Sequence, residues 1–133
     1  MFVRIESSSS VPIYRQIIDQ IRYQVATGVL QPGDKVPSVR TLAGQLAVNQ
    51  NTILKVFNEL RNENILRVER GHGTVVAESQ QSMTLTQRRK TVATLLREGA
   101  IQAVQLEIPM EQAVDLFKKE FQTILAEKKR SQS

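Results

Sequence analysis

Cysteine is absent from this 133-residue chain, which excludes disulfides and thiolate metal sites, and a single histidine, His72, leaves too little for a zinc site. No apolar run approaches the roughly 18 residues that a membrane-spanning helix needs, so no membrane partner is expected. The N-terminus lacks the basic-then-apolar layout of a signal peptide, and the cytoplasm is the expected location. There is also no cluster of acid/base side chains or metal ligands, so catalysis has little to work with; neither an enzyme nor a cofactor is expected. The length suits one compact domain, or a small domain with an appendage, and falls short of two full-sized domains. No internal repeat is present.

What is there has the balance of a soluble globular protein, 41% hydrophobic and 23% charged. The formal net charge is +5 and the sequence pI about 9.9. The excess is thinly spread, with nine Lys/Arg against seven Asp/Glu through Glu78 and nine against six from Ser79 onward. Such a charge is compatible with a polyanion such as nucleic acid, although many basic proteins bind none.

The opening MFVRIESSSS ends in a serine run and reads as a short loose arm. Pro12 suits the first position of a helix that Ser10 can cap from outside, and Ile13, Ile17, Ile21 and Val25 give that helix one apolar stripe before Thr27-Gly28 closes it. LQPGDKVPS, with two prolines, a glycine and an aspartate, is a turn-rich connector. Ser38 caps a short second helix with Val39, Leu42, Ala43 and Leu46 inward. Asn49 opens a third helix whose inner face is Ile53, Val56, Phe57 and Leu60, so the pair makes a helix-turn-helix unit. Next, Ile65, Leu66 and Val68, then Thr74 to Val76, read as two strands hinged at Gly71-His72-Gly73.

ESQQSMTLTQ is polar and marks a linker. Leu85, Val92, Leu96, Gly99, Ala103 and Leu106 then fall on one side of a long helix, provided it absorbs the roughly 1 kcal/mol that Gly99 costs inside it. Pro109 can start a last helix to about Glu127, with Met110, Ala113, Leu116, Phe117, Phe121 and Ile124 as a wide apolar stripe, and EKKRSQS is expected to fray. The fold class is therefore mainly α with a small β-hairpin: a winged helix-turn-helix domain over residues 1–78, then a linker and a two-helix C-terminal segment over 79–133.

At about 100° per residue, Asn51, Lys55, Asn58 and Asn62 lie opposite the inner face of the third helix, with Gln50 and Leu54 at its edge. Side chains near the N-terminal turn of such a helix read base edges in the major groove, and Asn or Gln can match the donor/acceptor pair of adenine while Leu54 meets a thymine methyl. The plainer reading is that the amides cap the helix and face solvent. GHG likewise has two readings, a wing tip against the minor groove or a phosphate, and a tight turn with a polar apex. No lysine or helix start follows it, so it is not a nucleotide-binding glycine loop. Arg40, in the first turn of the second helix, is ill placed for the helix dipole and better placed for a phosphate or a guanine, unless it is simply a surface arginine.

GVLQPGDKVPSVRTLAGQLAVNQNTILKVFNELRNENILRVERGHGTVV closely resembles the DNA-binding domain of GntR-family transcriptional regulators, where G-x-L-x-P-G-x-x-L-P-S-x-R-x-L-A, V-S-R-x-T-V and G-x-G-T-x-V recur in that order. The likeness spans about Pro12 to Ala77. VPIYRQIIDQI and the short two-helix tail are similar to the compact YtrA-type branch. The resemblance implies that Arg40, Thr52 and Gly71-His72-Gly73 touch duplex DNA, in a neighbourhood that also includes Ser38, Asn49, Gln50, Asn51 and Lys55. Asn49 stands where the broad pattern has serine and Gln50 where it has arginine. The second change removes a guanine contact and points to a different operator.

In this branch the C-terminal helices are expected to form a homodimer, through Leu96, Ala103, Leu116, Phe117, Phe121 and Ile124. Elementary physics agrees, because two helices alone cannot bury that many apolar side chains. A two-fold dimer would set two recognition helices on an inverted repeat. The expected function is a sequence-specific transcription regulator, a repressor; the alternative is a winged-helix protein-interaction module without specific DNA binding. A small-molecule effector is compatible with the sequence, but no residue specifies one.

Overall fold

Residues 1–78 and 84–132 are described by a computed structural model, without the side chains of residues 131 and 132. Two compact units divide the chain, one holding Val3–Thr84 and the other Leu85–Ser133.

The first unit contains α1 (Ile13–Ala26), α2 (Val39–Leu46), α3 (Gln50–Asn62), β1 (Leu66–Glu69) and β2 (Gly73–Val76). Its core takes Ile17, Ile18 and Ile21 from α1, Leu42 and Ala43 from α2, Ile53, Val56, Phe57 and Leu60 from α3, and Leu66 and Val76 from the hairpin. Each of the larger side chains contributes about 1.5–3 kcal/mol by leaving water. The inner face of α3 is the one the i, i+3, i+4, i+7 spacing predicts. That of α1 is shifted: Tyr14, Ile17, Ile18, Ile21 and Val25 turn inward, while Ile13 is 46% exposed.

Two further expectations for the N-terminal region are corrected. Ser10 does not cap α1. Pro12 occupies the N-cap position without a side-chain bond, and the hydroxyl of Ser9 accepts from Val11 N–H at 3.1 Å in a local turn. Nor is the opening segment loose. Val3 is buried, and Met1 and Ile5 pack against the core. Gln20 accepts from Arg4 N–H through Oε1 (2.9 Å) and donates to Arg4 C=O through Nε2 (2.7 Å). One turn earlier, Gln16 accepts from Glu6 N–H (2.8 Å) and donates to the carbonyls of Glu6 (3.2 Å) and Val11 (2.8 Å). Two amide side chains at i and i+4 share a helix face, and here they pair with the arm's backbone as a neighbouring strand would.

Helices α2 and α3 end alike. Val48 N–H reaches back to Ala43 C=O and Ala47 N–H to Gly44 C=O, with Ala47 left-handed at φ 54°. Ile65 and Asn64 repeat the pattern on Leu60 and Arg61, with Asn64 at φ 60°. Both are Schellman closures. The alanine bears a cost of roughly 1–2 kcal/mol that glycine would escape.

The hairpin is antiparallel, with Leu66 opposite Val76 and Glu69 opposite Gly73. Its turn hydrogen-bonds His72 N–H to Glu69 C=O (2.9 Å) and holds Gly71 at φ 83°, a type II geometry that demands glycine at that place. A second edge forms along β2: Lys35 bridges Val75, and Val36 N–H donates to Thr74 C=O at 3.0 Å. The turn before it, Gln31–Asp34, is stapled by Asp34 Oδ2 accepting from Gln31 N–H at 2.8 Å.

The second unit is a helical hairpin of α4 (Leu85–Gln105) and α5 (Met110–Gln132). α4 passes through Gly99 unbroken and closes on Glu107 at φ 58°. Pro109 C=O accepts from Ala113 N–H and starts α5. α5 runs on to Gln132, so the expected fraying after Glu127 is not found. The predicted linker lies partly in residues 79–83, outside the described residues, and its last three residues belong to α4.

Candidate nucleic-acid interface

The residues singled out in the sequence on α2, α3 and the hairpin all lie in the first unit, and the structure sorts them by what their side chains already do. Ser38 and Asn49 are caps. Ser38 Oγ accepts from Thr41 N–H (3.1 Å) and donates to Thr41 Oγ1 (2.9 Å). Asn49 Oδ1 accepts from Asn51 N–H at 2.7 Å. Such caps stabilise a helix by about 1 kcal/mol. The first turns of α2 and α3 also hold no acidic residue, so neither helix N-terminus repels an anion.

Gln50, Asn51 and Leu54 are exposed, Thr52 is half-buried, and the amides of Gln50 and Asn51 make no side-chain hydrogen bond among the described residues. Asn58, on the same open face, differs: its Oδ1 accepts from Arg61 Nη2. Lys55 extends its ammonium over the ring of Tyr14, 4.6 Å from the centroid. Arg40 is exposed in the first turn of α2 and forms no ion pair among the described residues.

At the hairpin tip, Gly71, His72 and Gly73 are exposed, and a Cβ at either glycine would meet nothing within 4 Å. Their need is conformational, since both have φ near +80°. Three side chains of this region were not identified in the sequence. Arg70 sits at the turn and forms no ion pair among the described residues, while its neighbour Glu69 pairs with Arg67 at 2.9 Å. Lys35 is exposed beside β2. Both were visible as cations flanking GHG and PGD. Tyr14 gave no such signal, since only the packing of α1 on α3 brings it to Lys55.

The six positions expected to dimerise are in the second unit. Leu96, Leu116, Phe117, Phe121 and Ile124 are exposed and Ala103 is half-buried. The rings of Phe117 and Phe121 lie 5.9 Å apart. An apolar cleft of about 590 Å³ runs between α4 and α5, lined among others by Leu95, Leu96, Gly99, Ala103, Ile108 and Phe117. Among the described residues there is no group of side chains that could hold a metal ion and no helix long and apolar enough to cross a membrane.

Two capped helices joined by a three-residue turn and backed by an antiparallel hairpin define a winged helix-turn-helix domain, an architecture used by DNA-binding transcription regulators. The chain belongs to the GntR family: "Bacterial regulatory proteins, gntR family" matches residues 13–76. It is 34% identical over 116 residues to the HTH-type transcriptional repressor YtrA of Bacillus subtilis (strain 168), covering 87% of this chain and 89% of that one. Among solved structures it is similar to YtrA from Sulfolobus acidocaldarius, a GntR-family transcription factor (TM-score 0.54, 34% identity, 74% of this chain and 97% of that one). It is also similar to a protein of Listeria monocytogenes EGD-e described as a transcriptional antiterminator (TM-score 0.55, 31% identity, 93% and 92%).

Proposed function

We propose that this protein is a homodimeric repressor that binds an inverted-repeat operator in the cytoplasm, with residues 1–78 reading the DNA and residues 79–133 joining the two copies. The observation that carries the dimer is the unburied apolar face of the second unit. α4 has no buried residue, and α5 none among those described, although Leu96, Phe117, Phe121 and Ile124 line up along them. Water-exposed apolar surface of that extent marks an association site, and a two-fold copy of the same face is self-complementary. Repression is supported by the name of the Bacillus relative.

On this reading Gln50 and Asn51 meet base edges, Arg40 a phosphate or guanine, Thr52 a phosphate, and Gly71-His72-Gly73 the minor groove or a phosphate. Ser38 and Asn49 hold the two helix N-termini at the DNA, and Lys55 adds local charge. The test is selection from a random duplex pool, followed by titration at two salt concentrations alongside sedimentation. A dimer that enriches an inverted repeat and binds it more weakly as salt rises is the expected result. A protein with no preference for any duplex would instead be a protein-interaction module that reuses the fold.

A further inference from the structure

We propose that Tyr14 is a positioning residue for DNA binding: its ring holds the Lys55 ammonium in one place on the open side of α3, ready for a backbone phosphate. The proposal rests on the reading of α3 as the DNA-facing helix. A lysine on an exposed helix surface ordinarily sweeps a wide volume on its four-carbon stem, and a phosphate contact must arrest that motion. Here the ammonium lies 4.6 Å from the centroid of Tyr14, within the roughly 6 Å over which a ring face attracts a cation. The ring itself is held, because Tyr14 is half-buried and packs against the core from the first turn of α1.

The identity of the partner matters as much as the distance. A carboxylate would fix Lys55 equally well but would cancel its charge. The acid one turn along α3, Glu59, faces Arg22 instead, with Nη2 to Oε1 at 3.9 Å. A ring accepts no N–H bond as a carboxylate would and leaves the net charge intact, and Lys55 remains exposed. The first turns of α1 and α3 hold no acidic residue, so neither helix start sets a carboxylate against an incoming phosphate. A phosphate contact carries no base information, so this pair should set affinity and salt dependence and leave sequence preference alone.

The experiment uses the full chain, a duplex that the wild-type protein selects from a random pool, and a scrambled duplex of the same composition. Affinities are measured across a salt series. K55Q is expected to weaken both duplexes by the same factor and to flatten the salt slope by about one. Y14L is expected to weaken both about two- to fivefold and Y14F to match the wild type. In a K55Q background, Y14L should change nothing further. Y14M serves as the second non-aromatic variant if Y14L melts early.

Y14F as damaging as Y14L, Y14L and K55Q losses that multiply, or a wild-type salt slope in K55Q would each overturn the proposal while leaving the operator reading standing. A wild-type protein that selects no duplex overturns both.

Discussion

Arg22 on α1 grips Glu63 at the C-cap of α3 with a two-bond fork, Nε donating to Oε2 at 3.1 Å and Nη2 to Oε1 at 2.6 Å. Hydrogen bonding to Glu63 raises the guanidinium's pKa above its ordinary value against the opposing effect of burial, and Asp19 adds to the rise. The fork fixes the end of α3 opposite to the one that carries the amides. A small error in the pitch of that helix would be magnified at Gln50.

Breaking the fork should cost stability first. Both side chains are about a third exposed, so solvent screening limits the bridge to about 1 kcal/mol even with bidentate geometry. R22Q is expected to lower the melting temperature of the first unit by roughly 4–8 °C, and R22K to recover only part, since an ammonium cannot make the fork. Equal melting temperatures for wild type and R22Q would show that the fork carries no stability.

Asn51 is the amide with the clearest opportunity to read a base, being exposed in the first turn of α3 with its side chain uncommitted. N51A should relax preference at one operator position at a cost of about 1–3 kcal/mol, read by titrating single-base operator variants. Q50R restores the residue common at that place in the family and should move the preferred base toward guanine. An unchanged base profile in both variants would remove the amides from the readout.

Phe117 sits beside Phe121 and lines the apolar cleft. F117D puts a charge where a second copy is proposed to pack, so sedimentation should report a monomer and operator binding should weaken. A mutant that sediments as the wild type does would move the interface off this face.

Glu6 gives a pH dependence. The Arg4 guanidinium, hydrogen-bonded to it at 2.7 Å, and the Ser8 hydroxyl at 2.9 Å hold its carboxyl below the ordinary 4.5. A depressed carboxylate stabilises the folded arm above its unfolded pKa, and that help is lost as pH falls through the folded value. Amide exchange at Val3 to Glu6 should therefore speed up below about pH 4.5 relative to E6Q. Identical pH profiles for wild type and E6Q would exclude Glu6 as the cause.

The sequence was most legible where a local rule acts alone. The α3 stripe, the Ser38 and Asn49 caps and the glycine-framed hairpin each follow from residues within a few positions of one another. The fold class and the continuity of α4 through Gly99 followed as well. What escaped was contact between distant segments. Gln16 and Gln20 look like ordinary surface amides until the arm is laid beside them, and Lys55 looks free until α1 delivers Tyr14. Asn58 looked open until Arg61, one turn on, engaged it, because charge and amide spacing say nothing about which rotamers meet. Ile13 misled for a related reason: a regular i, i+4 series drifts around a 3.6-residue helix, and the core chose Tyr14 and Ile18 beside it.

The pairing of Lys35 with Val75 ties the hairpin to the stretch of chain that enters α2, with only Val36 and Pro37 between that bridge and the Ser38 cap. Hairpin and α2 are thus two tines cast on one handle. On the proposed binding mode, a change that tilts either tine tilts the other, so a shift of the DNA beneath one would be felt by both. Over evolutionary time, substitutions around His72 and around Arg40 should be accepted in pairs.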